Sequence, residues 1–203
     1  MIFGVLLVDQ CSKFWVKLNM MSDDEFFIFG SWSRIHFIEN PGMAFGMEFG
    51  GNYGKLMLTI FRIIAVFVLI YIIRNQIKIK AHTGFLVALS FILAGAMGNI
   101  IDSIFYGVIF SHSDGQLATL FPPEGGYGTL FHGKVVDMLY FPMVSTTWPE
   151  WIPYFGGRHL SFFDPIFNVA DAAISTGVVI ILLFQKKFFK DEETGGSHVV
   201  SEA

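Results

Sequence analysis

The sequence predicts a mainly α integral membrane protein: four transmembrane helices with a small extracytoplasmic β-rich region. Composition is the first reason, with 53% hydrophobic, 17% aromatic and only 15% charged residues. A soluble domain carries roughly 25% charge. Three long apolar runs are the second. Leu56–Ile73 contains one charge, Arg62; Thr83–Ile101 contains none; Pro165–Phe184 contains only Asp171. Each approaches the roughly 20 residues that cross a bilayer. The third reason is a segment, FFIFGSWSRIHFIENPGMAFGM at 26–47, rich in aromatic and β-branched residues and punctuated by Gly and Pro. It reads as short strands with turns.

The elements follow in order. Helix 1, about 1–20, is the weakest span because Asp9, Lys13 and Lys17 interrupt it. Its polar groups are expected to face inward, and its short lead before Asp9 suggests a late start codon. It lacks the basic n-region and small-residue cleavage site of a signal peptide. The outer β region occupies about 26–50. Helices 2, 3 and 4 are expected at about 56–74, 83–103 and 165–185. Asp164 followed by Pro165 fits an N-cap with proline at the first helical position, which sets the expected start of helix 4. An outer segment of uncertain structure fills about 108–132. Residues 1–190 form one expected membrane domain, and the polar tail 191–203 is expected to be disordered. Cys11 is the only cysteine, so no intrachain disulfide forms, and a lone thiol in an apolar stretch reads as a packing residue. The net charge of −4 gives no sign of nucleic-acid binding.

Arg74, Lys78 and Lys80 lie between helices 2 and 3, and Lys186, Lys187 and Lys190 follow helix 4. The positive-inside rule puts these segments, and with four spans both termini, in the cytoplasm. Segments 19–55 and 103–164 then face outward. Helix 3 runs outward and helix 4 inward, so Asn99 and Asp102 share one depth with Asn168 and Asp171. Asp137 lies in the outer segment between them, within the apolar stretch HGKVVDMLYF. An ionised carboxylate among so many apolar neighbours is costly unless paired or protonated. Asp9 and Lys13, at i, i+4 on helix 1, are placed to join this group or to pair with each other.

Two adjacent carboxyl groups share a proton and serve as acid and base together. That chemistry belongs to aspartic peptidases and needs no metal or cofactor. No HExxH or GxSxG motif offers a different hydrolase. The rival reading is a proton- or ion-coupled transporter, because intramembrane Asp and Asn also line such pathways. A non-catalytic scaffold is a third reading that leaves the intramembrane carboxylate unexplained.

Five blocks resemble bacterial lipoprotein signal peptidase (signal peptidase II) in order: DQCSK at 9–13, ENPGMAFG at 39–46, GAMGNIIDS at 95–103, HGKVVDM at 132–138 and FNVADAAISTG at 167–177. The resemblance implies a multi-pass aspartic endopeptidase of the bacterial inner membrane, with its site near the outer face. Its substrates would be diacylglyceryl-modified prolipoproteins, cut just before the lipidated cysteine. A monomer is expected, with membrane lipid and substrate as partners and no cofactor. The implied catalytic pair is Asp137 and Asp171. The implied supporting positions are Asp9, Lys13, Asn40, Gly42, Asn99, Asp102 and Asn168. Asn99 and Asn168 are expected to orient the pair, and Asp9 and Asp102 to hold helices and loops. The chain departs from the family pattern where an Asp-Arg step is expected, since Ser103 follows Asp102. Arg158 or Lys134 is the expected substitute cation. Gly107 and Gly133 both suit one glycine position, which implies an insertion of about 26 residues between them.

Overall fold

The computed structural model describes residues 1–30, 32–41, 51–142, 144–147, 149–162 and 165–189. The chain runs α1 (Ile2–Asn19), β1 (Glu25–Phe29), β2 (Ser33–Asn40), α2 (Gly51–Lys78) and α3 (Thr83–Ile101). A π-helical turn (Asp102–Tyr106) and the short α4 (Gly107–Ile109) extend α3. After the irregular segment come β3 (Val135–Tyr140), β4 (Val144–Thr147), β5 (His159–Phe162), β6 (Ile166–Phe167) and α5 (Val169–Phe188).

Among the described residues, three helices are long and apolar enough to cross a membrane: Tyr53–Lys78, Thr83–Ile109 and Val169–Phe188. Their environments differ. Half of the apolar stretch of α3 is buried inside the protein, against 6% for α2 and 17% for α5. Thus α3 is the central post, while Thr59 is the one fully buried residue among the described α2 side chains, the rest being half-buried or exposed. Helix 1 forms as expected but is not among the three. Asp9, Lys13 and Lys17 lower its hydropathy, and all three are buried. Spaced four apart, they take one side of the helix together with Val16. Cys11 falls on the other side and is exposed, so it is not the packing residue the sequence suggested.

Close approach of α3 to α5 requires glycine at 95. A Cβ there would stand 2.2 Å from the Ala170 carbonyl oxygen. The start of α5 departs from expectation. Pro165 does not open the helix; Ile166 and Phe167 instead pair with Tyr140 and Leu139 of β3. Asn168 caps the helix, and Asp164 lies outside the described residues. Asp171 therefore occupies the first turn, not a position two turns inside the span.

The strands order as β1-β2-β3-β6, all antiparallel, with a separate β4-β5 hairpin. The β region thus reaches beyond 26–50 to recruit β3 and β6. Beneath the sheet lie Val16, Met20, Phe37, Tyr106, Phe110, Val136 and Met138, all buried. Phe14 meets Tyr106 and Phe110 edge to face, joining α1 to the turn after α3.

The segment 108–132 leaves and returns at one place. The Gly133 amide donates to the Ser103 carbonyl at 2.9 Å, and that of Gly128 to the Gly107 carbonyl at 2.8 Å. A Cβ on Gly133 would lie 2.0 Å from the Asp102 carbonyl oxygen. Both candidate glycines are therefore used: they face each other across the neck of the insertion. The tail 191–203 lies outside the described residues.

Candidate active site

Asp137 sits on the central strand β3 opposite Ile38 of β2, and only 5% of it is exposed. Two asparagines hold its carboxyl group. Asn40, the last residue of β2, donates to Oδ2 at 2.9 Å, and Asn168 donates to Oδ1 at 2.7 Å. Burial pushes Asp137 up to about 7; the charge of Asp171 adds to the rise, while both asparagine hydrogen bonds and Lys13 oppose it.

Asp171 is fixed by the helix start itself. Its backbone N–H donates to Asn168 Oδ1 at 3.0 Å, and its Oδ2 accepts from the Asn168 backbone N–H at 3.3 Å. This is a reciprocal capping box with aspartate at its third position. Asn99 of α3 donates to Asp171 Oδ1 at 2.7 Å. The amide of Asn168 is fully employed. Its oxygen caps α5, and its nitrogen donates to Asp137 Oδ1 and to Asn99 Oδ1, the latter at 3.1 Å. One asparagine therefore bridges both carboxyl groups.

Beneath this layer Lys13 is fully buried. Its three N–H donors meet Asp102 Oδ2 at 2.7 Å, Asp9 Oδ2 at 2.9 Å and Asn99 Oδ1 at 3.0 Å. The ammonium fills the space between Asp9 and Asp102 that a bound cation would need. Asp9 Oδ1 also accepts from the Ala170 backbone N–H at 2.9 Å, tying α1 to the start of α5. Asp102 Oδ2 accepts from the Val136 N–H at 3.3 Å, tying the π-helical turn to β3. Gln10 spans Asp9 and Asp102, donating to each at 3.0 Å, and accepts from the Tyr106 hydroxyl at 3.1 Å.

A second polar cluster supports Asn40 from behind. Glu39 takes Lys17 on Oε1 and Lys134 on Oε2, the latter at 2.8 Å. Burial alone would raise Glu39, but the two ammonium groups outweigh it and hold the carboxyl below its ordinary value. Lys17 also donates to Ser113 Oγ at 2.8 Å and lies over the Tyr127 ring. Both partners belong to the insertion, which is thereby docked onto α1 and β2. A cavity of about 360 Å³ opens beside it, lined by Lys55, Tyr127, Gly128, Thr129, His132 and Lys134.

The expected substitute cations are elsewhere. Lys134 is engaged by Glu39, and Arg158 is exposed in the segment before β5. Among the described residues, the cation beside Ser103 is Arg62 of α2, whose Nη1 donates to Ser103 Oγ at 3.2 Å.

The family model for signal peptidase (SPase) II matches residues 1–187. The chain belongs to the signal peptidase II family. Its relatives agree. A lipoprotein signal peptidase of Porphyromonas gingivalis is 51% identical over 180 residues, covering 88% of this chain and 78% of the relative. One from Amoebophilus asiaticus is 40% identical over 181 residues, covering 88% and 72%. One from Pelodictyon phaeoclathratiforme is 30% identical over 195 residues, covering 95% and 92%. Two solved bacterial membrane enzymes, determined in meso at 2.3 and 1.9 Å resolution, share the fold with TM-scores of 0.60 and 0.59. They are 24% and 25% identical and cover 95% and 94% of this chain and 89% and 90% of their own. Signal peptidase II membership makes this a membrane aspartic peptidase that removes signal peptides in lipoprotein maturation. It does not favour the transporter reading.

Of the site residues expected from sequence, Asp9, Lys13, Asn40, Asn99, Asp102, Asp137, Asn168 and Asp171 lie in one connected hydrogen-bond network. Gly42 lies outside the described residues. Sequence reading missed Gln10, Lys17, Glu39 and Arg62. A polar residue on a buried helix face was the available signal for Lys17, and a lone charge within an apolar run was the signal for Arg62. Gln10 and Glu39 gave none beyond their adjacency to Asp9 and Asn40.

Proposed function

We propose that Asp137 and Asp171 are the catalytic pair and that the enzyme cuts diacylglyceryl-modified prolipoproteins just before the lipidated cysteine. The observation that carries this reading is Asn168, whose side-chain amide donates to the Asp137 carboxyl group and whose backbone N–H donates to that of Asp171. The pair works with one shared proton, and its two ionisations belong to the pair jointly. Burial of Asp137 keeps a proton available near neutral pH. One carboxylate takes a proton from the attacking water while the other donates to the carbonyl oxygen of the scissile peptide. The asparagines and Lys13 hold the carboxyl groups still and stabilise the single negative charge.

Helix 1 crosses the membrane as a fourth span, its charges turned toward α3 and α5. Residues 74–82 and both termini lie in the cytoplasm, and the pair opens near the outer face of the inner membrane. The signal peptide enters sideways from the lipid and unwinds at the cleavage point, where the end of β2 near Asn40 pairs with it as an extended strand. Its acyl chains stay in the bilayer, and one copy of the enzyme suffices.

Purified enzyme in detergent, given a diacylglyceryl-modified prolipoprotein, releases the signal peptide with or without chelator. Asp137→Asn and Asp171→Asn each abolish cleavage while the protein still melts cooperatively. Substantial cleavage by either folded variant would overturn the pair. Proton-coupled flux in liposomes without cleavage would instead support a transporter.

A further inference from the structure

Arg62 is the one charge in the apolar run Leu56–Ile73. An arginine within a membrane helix is unfavourable, and such residues by default serve a function. The helix that carries it is otherwise the most outward-facing of the three spans. Met57, Phe61, Ile64 and Phe67 are exposed, while Thr59 is buried and Arg62 is half-buried. Thr59 and Arg62, three apart, form the inward face. Thr59 Oγ1 donates to the Phe131 carbonyl at 3.2 Å, so this face is held against the neck of the insertion.

Arg62 reaches the site by a short path. Its Nη1 donates to Ser103 Oγ, and Ser103 Oγ donates to the Asn99 carbonyl at 2.9 Å. The Asn99 side chain donates to Asp171. The guanidinium also lies within electrostatic reach of the Asp171, Asp137 and Asp102 carboxyl groups. Ser103 occupies the position where the family pattern has arginine, so the cation arrives here from a different helix.

We propose that Arg62 is a positioning residue for the Asp137/Asp171 pair, a cation delivered by α2 through Ser103 that stabilises the negative charge the pair shares. The proposal rests on the assignment of that pair. It divides labour between two cations: Lys13 is spent on Asp9, Asp102 and Asn99 below the pair, and Arg62 approaches from the lipid-facing side. Among the described residues, the charged groups around the pair are Lys13 from α1 with Asp9 beside it, Arg62 from α2 and Asp102 from the π-helical turn. Removing the cation makes each ionisation of the pair harder, so both limbs of the pH–rate profile move upward.

The test uses the full chain in detergent with a diacylglyceryl-modified prolipoprotein. Parent, Arg62→Gln, Arg62→Lys and Arg62→Gln/Ser103→Arg are compared for kcat, KM, pH profile and melting temperature. Arg62→Gln is expected to lower kcat by about tenfold to a hundredfold with KM little changed. Both limbs should rise by about one pH unit. Arg62→Lys retains the parent's limbs, and the double variant returns them toward the parent. A parent-like profile in Arg62→Gln, or lost activity with unmoved limbs, overturns the proposal. If Arg62→Gln does not fold, the other two variants decide. A lysine variant with raised limbs, or a folded double variant without activity, overturns it. Asp137→Asn and Asp171→Asn run in parallel. Activity in either sinks the pair assignment itself, whereas inactivity there beside a parent-like Arg62→Gln sinks only this proposal.

Discussion

Asn168 performs two tasks that substitution separates. Its oxygen caps α5, and its nitrogen donates to Asp137 and Asn99. Asn168→Ser keeps a good cap, because a serine oxygen accepts from the same first-turn N–H. It loses the amide donors. Asn168→Ala loses both. The cap is worth about 1 kcal/mol, so the alanine variant should be less stable than the serine variant by about that amount. The hydrogen bond to Asp137 favours the ionised carboxyl group and opposes the burial that holds it at about 7. A hydrogen bond to a charged group contributes about 1.5–3 kcal/mol, and one pK unit corresponds to about 1.4 kcal/mol. Either variant should therefore raise the alkaline limb of the pH–rate profile by about one to two units, with a lower maximum rate. The assay is initial cleavage rate between pH 5 and pH 10, beside melting temperature in the same detergent. An alkaline limb that stays in place, or a serine variant as unstable as the alanine one, would refute the division of labour.

Asp137→Asn should be inactive yet more stable than the parent in alkaline solution. Because burial raises Asp137 above its unfolded value, its contribution to stability is fully present below pH 3.8 and is lost as pH rises through about 7. The asparagine variant escapes that loss, gaining up to about 4 kcal/mol at pH 8 and nothing near pH 4; unfolding in denaturant at both pH values checks this. Lys13→Met strands two buried carboxylates and should cost about 3–5 kcal/mol, read as a large fall in melting temperature. Adding Asp9→Asn and Asp102→Asn should recover part of it. Gly133→Ala drives a methyl group into the Asp102 carbonyl and should destabilise by about 1–3 kcal/mol, with β3 displaced and cleavage reduced; melting and activity measured together would show both losses.

Much of the molecule was legible from local pattern. The apolar runs became α2, α3 and α5, and the aromatic segment after α1 became β1 and β2. Asp9, Lys13, Asn99 and Asp102 gathered because helical spacing places them on inward faces, and Asn40 and Asp137 joined them through the pairing of β2 with β3. Three errors share a cause in contacts distant along the chain. Pro165 looked like a helix start, but pairing of Ile166 and Phe167 with β3 claimed those residues and moved the cap to Asn168. Cys11 looked buried because its neighbours are apolar, yet Asp9, Lys13 and Lys17 took the inward face. A cation was sought in the outer segments, while the one beside Ser103 among the described residues is Arg62, the lone charge of an otherwise apolar helix. Gln10 stands in the DQCSK block, but its role could not be read there, because it depends on α1 meeting the π-helical turn that carries Asp102 and Tyr106.

The capping box at Asn168 has a thermal consequence. Asp171 belongs to the opening turn of α5, and helix ends loosen before helix centres do. A breath of that turn breaks the Asn168–Asp171 contacts, and the amide that positions Asp137 goes with them. The enzyme should fall silent on warming while its spans are still assembled. The temperature at which cleavage fails should then report the integrity of one helix end rather than the melting of the whole.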